Sequence, residues 1–577
     1  MLFSEGPLRY ALSMRTVLAT LHSKYIHPSL ALPCLAAYCG RQCGELAIRE
    51  YTVHEPKQNV LADLLAAEPD VIAFSVYLWN RRETFELADA LAVARPGIRI
   101  VLGGPEVSYE GPELFSAHPG VSAIVRGEGE IPLEGLLRAW NREEEPSGVP
   151  RLAWRRGEEV VEGPDGPPLE DLDALPSPFA SDLADLSRGY VYYESSRGCP
   201  YRCAFCMSSL DDNVRSFSRE RIESDLGRLM ERKVPQVKLV DRTFNYDADR
   251  AREIFAFILK HNDATRFHFE IGAHLLDGAT LDLLKTVPKG MFQFEIGVQS
   301  TLPETLDAIG RRASLERLEQ NVRRLREAGN IHLHLDLIIG LPGEGYEGFL
   351  SSIDRVAALH PHHLQVEPVK LLPGSPLRLD AGKLGIRFDP NPPYAVLGTP
   401  ELSFEDLERL RGLSRLLDLT YNSGCFPKFL GELGKVCGSL AAGLEKLEFF
   451  WRVEGLFRLP LSRRGVFEKI WKFVKNGFRD EARESLREHL GRDFALSERV
   501  VPGKAPEFLD TELTEEEKRL VRERVREETD RIKGRGIKLQ HFAAAFARLP
   551  DLPGRHVRLF LYLTRSGSGL EVRDIPL

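Results

Sequence analysis

Short apolar runs and helical patterns alternate along residues 14–145. The apolar runs predict strands at 17–21, 46–51, 71–76, 98–102 and 123–126, and the periodicity between them predicts helices at 29–43, 59–67, 83–94 and 130–140. Such alternation is typical of a parallel sheet with helices on both faces. We therefore predict a doubly wound, Rossmann-like α/β domain.

The same alternation returns between residues 189 and 385. Strands are predicted at 189–195, 236–241, 267–272, 292–297, 331–339 and 362–369, with helices between them, for example at 219–231, 250–260 and 315–328. Six β/α units of this kind predict a partial (β/α)6 TIM-like barrel, in which chemistry gathers at the carboxyl ends of the strands.

The two remaining stretches differ from this pattern. Residues 146–188 predict a small hairpin that turns at Arg156-Gly157 and then a proline-rich linker. Residues 386–577 predict a mostly helical C-terminal domain of unknown role, with helices at 404–422, 429–447, 467–478, 481–490 and 515–533 and one strand at 557–563. Thr514 and Glu517 fit a capping box at the start of the last helix.

Composition and charge indicate an ordinary globular protein of several domains. The 577 residues include 77 basic and 85 acidic side chains, so no global field draws the chain to nucleic acid or to a membrane. No apolar run reaches the roughly 18 residues of a membrane span. Residues 1–13 lack an export pattern, with Met14 as an alternative start, and the eight sparse cysteines indicate cytoplasmic thiols or metal ligands.

Three cysteines follow the first predicted strand of the barrel. Cys199, Cys203 and Cys206 have C-x3-C-x2-C spacing, and Gly198-Cys199-Pro200 turns the chain out of the strand. Three thiolates so spaced can hold a [4Fe-4S] cluster whose fourth iron has no protein ligand. The alternatives are a zinc site with a distant fourth ligand, or cysteines that pack as small apolar side chains.

Small and polar residues follow the predicted strands of the first domain, at the edge where parallel sheets bind ligands. They are Ser75 and Tyr77, then Gly103-Gly104-Pro105, then Gly127-Glu128. His22 and His27, on a loop at this edge, are interpreted as ordinary polar residues rather than metal ligands. Cys34, Cys39 and Cys43 fall along one predicted helix, where core packing is favoured over a second cluster.

The cysteine loop resembles that of the radical S-adenosylmethionine (SAM) superfamily, and so does the order of polar strand ends after it. The resemblance implies that Cys199, Cys203 and Cys206 hold a [4Fe-4S] cluster whose open iron binds the amino and carboxylate groups of SAM. It also implies that E-x-G-x-Q-S and D-x-I-x-G-L-P-G-E help hold SAM. The implied SAM-site residues are Asp241, Glu270, Glu295, Gln299, Arg311, Asp336 and Gly340.

Arg311 matches a position that pairs with the SAM carboxylate, which suits the fork of a guanidinium. Arg215 lies where relatives line the pocket. The alternative for each polar residue is a role in barrel packing or helix capping.

The first domain resembles the cobalamin-binding domain that precedes many radical SAM domains. Gly103-Gly104-Pro105-Glu106 and Gly127-Glu128-Gly129-Glu130 carry most of this resemblance. It implies that Ser75, Tyr77, Gly103, Gly104, Pro105, Gly127 and Glu128 contact cobalamin. The D-x-H-x-x-G signature is absent, so no histidine of that motif holds the lower face of the corrin. A doubly wound domain without a cofactor is the alternative.

The resemblances divide the chain into a cobalamin-binding domain at 14–145, a hairpin and linker at 146–188, a radical SAM barrel at 189–385 and a helical domain at 386–577. They imply a cytoplasmic, cobalamin-dependent methyltransferase that acts on an unactivated carbon by 5′-deoxyadenosyl radical chemistry. The implied partners are a small-molecule or peptide substrate and an electron donor such as flavodoxin or ferredoxin.

Two alternatives to this activity stay open. The first is a rearrangement or cyclisation with the same cofactors and no methyl transfer. The second is an RNA-modifying enzyme, because residues 451–479 interleave basic and aromatic side chains as single-stranded nucleic-acid sites do. An amphipathic packing helix is favoured over nucleic-acid binding for that stretch.

Overall fold

The computed structural model describes residues 14–577 except 212, 502, 534–535, 551–553 and 566–568. The chain divides into two compact units. The first contains residues up to 297 together with 304–333 and 369–400, and the second contains 298–303, 334–368 and the residues from 401 onward. The first domain and the cysteine loop therefore lie in one unit, while the domain boundaries stay a prediction. Residues 1–13 lie outside the described residues.

The first domain has the predicted α/β alternation. Its elements are β1 Arg15–His22, α1 Ala31–Cys39, β2 Glu45–Thr52, α2 Lys57–Ala66, β3 Val71–Ser75, α3 Arg81–Ala94, β4 Arg99–Gly103, α4 Glu113–Ala117, β5 Val121–Val125, α5 Glu130–Asn141, β6 Leu152–Arg156 and β7 Glu159–Glu162. The sheet order is β2-β1-β3-β4-β5-β6-β7, with β1 to β5 parallel and the predicted hairpin β6–β7 added antiparallel at one edge. The order reverses between β1 and β3, where doubly wound sheets bind ligands.

Successive residues of these strands enter two different hydrophobic cores. Val17 and Ala19 belong to one cluster, whereas Leu18 between them belongs to the other, and Ile72 and Val71 divide in the same way. Side chains of a strand alternate between faces, so each face of the sheet must be covered by helices. The predicted doubly wound fold is confirmed.

The cysteine loop and the β/α units follow the linker. The elements are β8 Tyr190–Tyr193, β9 Ser196–Arg197, β10 Arg215–Ser216, α6 Arg219–Glu231, β11 Gln236–Leu239, α7 Ala248–His261, β12 Arg266–Glu270, α8 Gly278–Leu284, β13 Phe292–Gln299, α9 Pro303–Ala308, α10 Leu315–Ala328, β14 His332–Ile339, α11 Tyr346–Ala357, β15 His363–Pro368, α12 Pro376–Leu379, β16 Arg387–Phe388 and β17 Val396–Gly398. The six predicted strands are β8, β11, β12, β13, β14 and β15, and each is present.

In the first unit, β8, β11, β12 and β13 pair in parallel, in that order. One face of these strands is apolar and rich in phenylalanine, including the buried Phe267, Phe269 and Phe294. The other face carries polar side chains at alternate positions, such as Lys238, Glu270 and Glu295. In the second unit β14 and β15 pair in parallel, and β14 shows the same alternation.

The C-terminal region is mostly helical, as predicted. Its elements are α13 Phe404–Leu419, α14 Pro427–Cys437, α15 Leu440–Val453, α16 Arg463–Gly477, α17 Asp480–Ser497, α18 Glu515–Ile532, β18 Ile537–Phe546, β19 His556–Arg565 and β20 Leu570–Pro576. The Thr514–Glu517 capping box of α18 is present with both of its hydrogen bonds. The sequence predicted only the central strand of the antiparallel sheet β18-β19-β20.

Two predicted helices are shorter than expected. The helix predicted at 429–447 is wrong as a single element, because Gly438 ends α14 with a φ of 94° and Ser439 caps the start of α15 by accepting from the Ala442 amide. The helix predicted at 29–43 ends at Cys39, since Gly40 has a φ of 60°. Within the described residues, no helix has the length and apolar character needed to cross a membrane.

Candidate functional site

The cysteine loop is closed at its base by the two-residue ribbon β9–β10, in which Arg197 lies opposite Arg215. Gly198 has a φ of 90°, and a Cβ on it would lie 2.3 Å from the Asn213 carbonyl oxygen, so only glycine fits there. Cys199 and Cys203 are buried and Cys206 is partly exposed. In the described ranges, no group of three or more His, Cys, Asp or Glu side chains is placed to hold a metal ion. The convergence of the three sulfurs on a cluster therefore stays a prediction.

Hydrogen-bonding groups surround the two buried sulfurs. The Arg311 guanidinium lies 3.6 Å from Cys203 Sγ, and the Thr243 hydroxyl lies 3.6 Å from Cys199 Sγ. Burial raises the pKa of the Cys203 thiol, and Arg311 offsets part of this. The Ala204 amide donates to the Ile309 carbonyl at 2.9 Å, which fixes the loop against the segment before Arg311. Arg311 thus lies beside Cys203, and its contact with SAM stays a prediction.

Asp241, two residues after the end of β11, is fully buried. Its carboxylate accepts from the Ser195 amide at 3.2 Å, the Ser195 hydroxyl at 2.6 Å and the Ser196 hydroxyl at 2.5 Å. These bonds hold the chain just before the cysteine loop. The contacts observed at Asp241 are with Ser195 and Ser196. Its contact with a cofactor stays a prediction.

A charged cluster lies on the polar face of β11, β12 and β13. The Lys238 ammonium is 3.4 Å from Glu270 and 3.1 Å from Glu295, and His268 Nε2 is 2.9 Å from Glu295. Burial alone would raise the pKa of Glu295, but His268 and Lys238 lower it to about 2. Burial raises the pKa of Glu270, which Lys238 only partly offsets. The sequence identified the two glutamates and missed Lys238 and His268, although a lysine within an apolar strand was a visible signal.

In the second unit, Gln299 ends β13 with a φ of 72°, a left-handed conformation that a glutamine rarely adopts. Its side-chain oxygen is buried without a hydrogen-bond partner among the residues that the structure describes. Strained residues with unsatisfied polar atoms are typical of ligand sites. Asp336, on β14, lies 3.0 Å from His334 Nε2, and Gly340 follows with a φ of 83°.

Glu344, four residues after Gly340, is the buried last acid of the predicted D-x-I-x-G-L-P-G-E motif, and no individual role was predicted for it. One of its oxygens accepts from the Ser300 and Ser352 hydroxyls, each at 2.9 Å. Burial raises the pKa of Glu344 to about 7, although both hydroxyls lower it. The carboxyl therefore titrates near neutral pH.

The ligand edge of the first domain combines glycine and aromatic residues. Gly104 has a φ of 105°, and a Cβ there would lie 2.5 Å from the Val76 carbonyl oxygen. Position 104 therefore requires glycine because the backbone of Val76, just after β3, lies so close. The sequence did not predict this contact. Tyr77 stacks on Trp79 with ring centroids 4.6 Å apart and an interplanar angle of 4°, and Trp79 is 46% exposed. The sequence identified Ser75 and Tyr77 here and missed Trp79.

The histidines and cysteines of the first domain have partners within the protein. His22 Nε2 is 3.2 Å from Glu50, and His27 Nδ1 is 2.9 Å from the Tyr192 hydroxyl on β8. Cys39 and Cys43 are fully buried in a hydrophobic core, as the packing interpretation predicts. Each histidine is held through one ring nitrogen, and the interpretation of both as ordinary polar residues stays a prediction.

Glu128 and Glu130, at the start of α5, contact the two arginines of the ribbon β9–β10. Glu128 is 2.5 Å from Arg215 and 3.5 Å from Arg197, and Glu130 is 2.7 Å from Arg197. Burial raises the pKa of Glu128, but Arg215 and Arg197 more than offset it and hold the pKa below its ordinary value. The sequence predicted Glu128 to contact cobalamin and Arg215 to line the SAM pocket. The structure pairs the two side chains with each other.

Three family models match the chain. The B12 binding domain matches residues 16–137, the radical SAM superfamily matches residues 193–356, and a protein of unknown function (DUF4080) matches residues 382–541. The first two matches cover the sheet β1–β5 and the segment that carries the cysteine loop.

The chain is also similar to proteins of this kind over longer ranges. It is 29% identical to the cobalamin-dependent radical SAM methyltransferase TokK of Streptomyces tokunonensis, over 59% of the chain and 53% of TokK. Its fold matches OxsB, solved with aqua-cobalamin and S-adenosylmethionine, with a TM-score of 0.60 over 91% of the chain and 81% of OxsB at 16% identity. It also matches TsrM of Kitasatospora setae, solved with cobalamin and a [4Fe-4S] cluster, with a TM-score of 0.55 over 69% of the chain and 81% of TsrM at 18% identity.

The fold, the cysteine loop and the two domain matches define the class: a protein with a radical SAM domain that follows a B12-binding domain. The radical SAM superfamily model matches residues that carry the cysteine loop, and the B12 binding domain model matches the doubly wound sheet before it. The chain spans little more than half of the length of the curated relatives that it matches.

Proposed function

We propose that the chain is a cobalamin-dependent radical SAM methyltransferase that acts on an unactivated carbon of a small-molecule or peptide substrate. The observation that carries this proposal is the direct contact between the two predicted cofactor loops. Glu128 and Glu130 follow the ligand edge of the first domain, and they bind the arginines at the base of the cysteine loop. Two cofactors that act on one substrate need their binding loops held together.

The residues of the cysteine loop fit a cluster with three protein ligands. Cys199 and Cys203 are buried, and Cys203 lies beside the Arg311 guanidinium. Thiols are deprotonated when a metal centre binds them. Cys199, Cys203 and Cys206 would hold the cluster. Arg311 would orient the SAM carboxylate. Thr243, whose hydroxyl donates to the Arg242 carbonyl at 2.8 Å, lies beside the Cys199 sulfur.

The strand ends offer further groups for SAM. The buried side-chain oxygen of Gln299 and its left-handed backbone fit a residue that completes its hydrogen bonds on a ligand. Glu270 and Glu295 would face the amino acid or the ribose, with Lys238 limiting their combined negative charge. Asp336 would contact the ribose, and Gly340 would let the backbone lie against adenine.

The first domain fits a corrin through shape rather than through a metal ligand. The exposed Trp79 ring stacks on the partly buried Tyr77 and offers a flat apolar surface, and Gly104 packs against the backbone of Val76, just before Tyr77. Ser75, Gly103, Gly104, Pro105 and Gly127 complete the predicted contacts. The absence of the D-x-H-x-x-G signature supports cobalamin binding without a histidine ligand from that motif.

When bound, the three cofactors supply radical and methyl-transfer chemistry, and the chain places the substrate and excludes water. We also propose a cytoplasmic location and an electron donor such as flavodoxin or ferredoxin. The RNA-modifying alternative loses its support at residues 451–479. There Phe467 and Phe473 are buried, and Trp471 and Lys475 both contact Glu507.

The test is anaerobic reconstitution with iron, sulfide and cobalamin, followed by an assay with methyl-labelled SAM on extracts or candidate substrates. The proposal expects bound iron and cobalamin, release of 5′-deoxyadenosine, and label in a product. Nucleoside release without label would favour the non-methylating alternative. Matched variants sharpen the test: Cys203→Ala should remove iron, whereas Cys437→Ala, on α14, should leave the iron content unchanged. Uptake of zinc without iron would overturn the proposal.

A further inference from the structure

The ribbon β9–β10 fixes the cysteine loop at its base. Arg197 is two residues from Cys199, and the Cys199 amide donates to the Asp211 carbonyl at 3.2 Å. Arg215, across the ribbon, is 2.6 Å from the Asp211 carboxylate. A shift of either arginine therefore moves the backbone that carries the first cysteine.

Both arginines are held mainly by carboxylates of the first domain and of the chain beside the loop. Arg197 contacts Glu130 at 2.7 Å, Glu194 at 2.8 Å and Glu128 at 3.5 Å. The side chain of Glu130 is only 6% exposed. Charges this buried interact strongly and tolerate little separation, because a lost partner leaves an uncompensated charge.

The two glutamates belong to the ligand edge of the first domain. Gly127 follows β5 with a φ of 69°, Glu128 comes next, and Glu130 is the first residue of α5. Gly127 and Glu128 are two of the residues predicted to contact cobalamin. A ligand that moves or stiffens this turn must therefore act on the same carboxylates that hold Arg197 and Arg215.

We propose that Glu128 and Glu130 are positioning residues that couple occupancy of the first-domain site to the geometry of the cysteine loop. This inference rests on the proposed function and extends it. Coupling of this kind is reciprocal: cobalamin changes the affinity for SAM, and SAM changes the affinity for cobalamin by the same factor. If the ion pairs were purely structural, their loss would weaken the binding of SAM and of cobalamin. The factor by which each ligand changes the affinity for the other would then stay unchanged.

The experiment measures SAM affinity on the reduced, cluster-loaded protein from the change in its electron paramagnetic resonance spectrum, with and without cobalamin. In the wild type we expect the SAM affinities with and without cobalamin to differ by about fivefold or more, and this factor is the coupling ratio. The reverse titration, of cobalamin with and without SAM, should give the same ratio. Glu130→Gln should bring the ratio close to one while both ligands still bind. Glu130→Asp, which keeps the charge, should restore part of the ratio.

Glu128→Gln provides a second variant should Glu130→Gln fail to fold, since Arg215 keeps Asp211 as a partner. The matched control is Glu162→Gln, which removes the Arg126–Glu162 ion pair of the first domain and should leave the ratio at its wild-type value. A ratio of one in the wild type, or an unchanged ratio in both variants, would overturn the inference alone. A wild-type protein that binds neither ligand would overturn the proposed function as well.

Discussion

Arg311 places one guanidinium nitrogen 3.6 Å from the sulfur of Cys203 and donates through another to the carbonyl oxygen of Gly297. The side chain is therefore oriented by the backbone of β13 while it faces the cysteine loop. A guanidinium held in this way keeps further donors for a carboxylate, which a lysine cannot reproduce.

We expect Arg311→Lys to lower SAM affinity by about tenfold, because the charge is retained but the fork is lost. Arg311→Gln should lower it further. The measurement is SAM binding to the reduced, cluster-loaded protein. The neighbouring exposed Arg312 offers the control, since Arg312→Lys should change nothing. Equal effects at the two positions would contradict the assignment of Arg311.

Gly198 and Gly97 make a matched pair for testing the close approach at the start of the cysteine loop. Gly198 has a φ of 90° and Gly97 a φ of 94°. A Cβ added to Gly198 would lie 2.3 Å from the Asn213 carbonyl oxygen, whereas a Cβ added to Gly97 would meet nothing within 4 Å. Gly97→Ala should cost about 1–2 kcal/mol, the strain of a left-handed residue. Gly198→Ala should cost more and should also reduce the iron content.

The measurements for this pair are thermal midpoints and iron per chain after reconstitution. The iron content of Gly97→Ala should equal that of the wild type, because its substitution disturbs only a turn before β4. If Gly198→Ala kept full iron and lost no more stability than Gly97→Ala, the loop would not need the contact with Asn213.

Much of the fold was predictable because it depends on periodicity within short segments. The helices at 219–231 and 315–328 begin and end where predicted, since Ser218 and Ser314 cap their first turns and Gly329 ends the second. Gly438, which ends α14, and Ser439, which caps the start of α15, are helix-ending and helix-starting residues that the sequence already contained. Their apolar surroundings continued the helical pattern across them, which hid the break.

The candidate site was predictable only in part, because its contacts join residues far apart in the chain. The spacing of the three cysteines is local and was visible at once. The ion pair of Glu128 with Arg215 joins two domains, so neither motif could indicate that its charge was already matched by the other. Trp79 was missed for a different reason: it is only two residues from Tyr77, but their stacking depends on the conformation of the turn after β3, which the periodicity of the sequence does not specify.

Gln299 should show a conflict between stability and ligand binding. Its φ of 72° costs free energy in the folded state, which Gln299→Gly would relieve. We expect this variant to be more stable by about 1 kcal/mol and to bind SAM more weakly. Lys233→Gly, at an exposed residue with a φ of 51°, should gain stability without any change in SAM affinity. Unaltered SAM binding by Gln299→Gly would exclude this side chain from the site.

Glu344 should make the stability of the protein depend on pH. Its folded pKa of about 7 lies above the ordinary value of 4.5, so the folded state holds a proton that the unfolded state releases between these values. The contribution of Glu344 to the free energy of unfolding is therefore fully present below about pH 4.5. It is lost as the pH rises through 7, by up to about 3 kcal/mol. Glu344→Gln, which cannot ionise, should unfold at a higher temperature than the wild type at pH 8 and should lose this advantage at pH 5.

Glu347→Gln, an exposed neighbour on α11, is the control and should show no such pH-dependent difference. A Glu344→Gln variant whose thermal midpoint followed the wild type at both pH values would mean that the buried carboxyl does not titrate in this range.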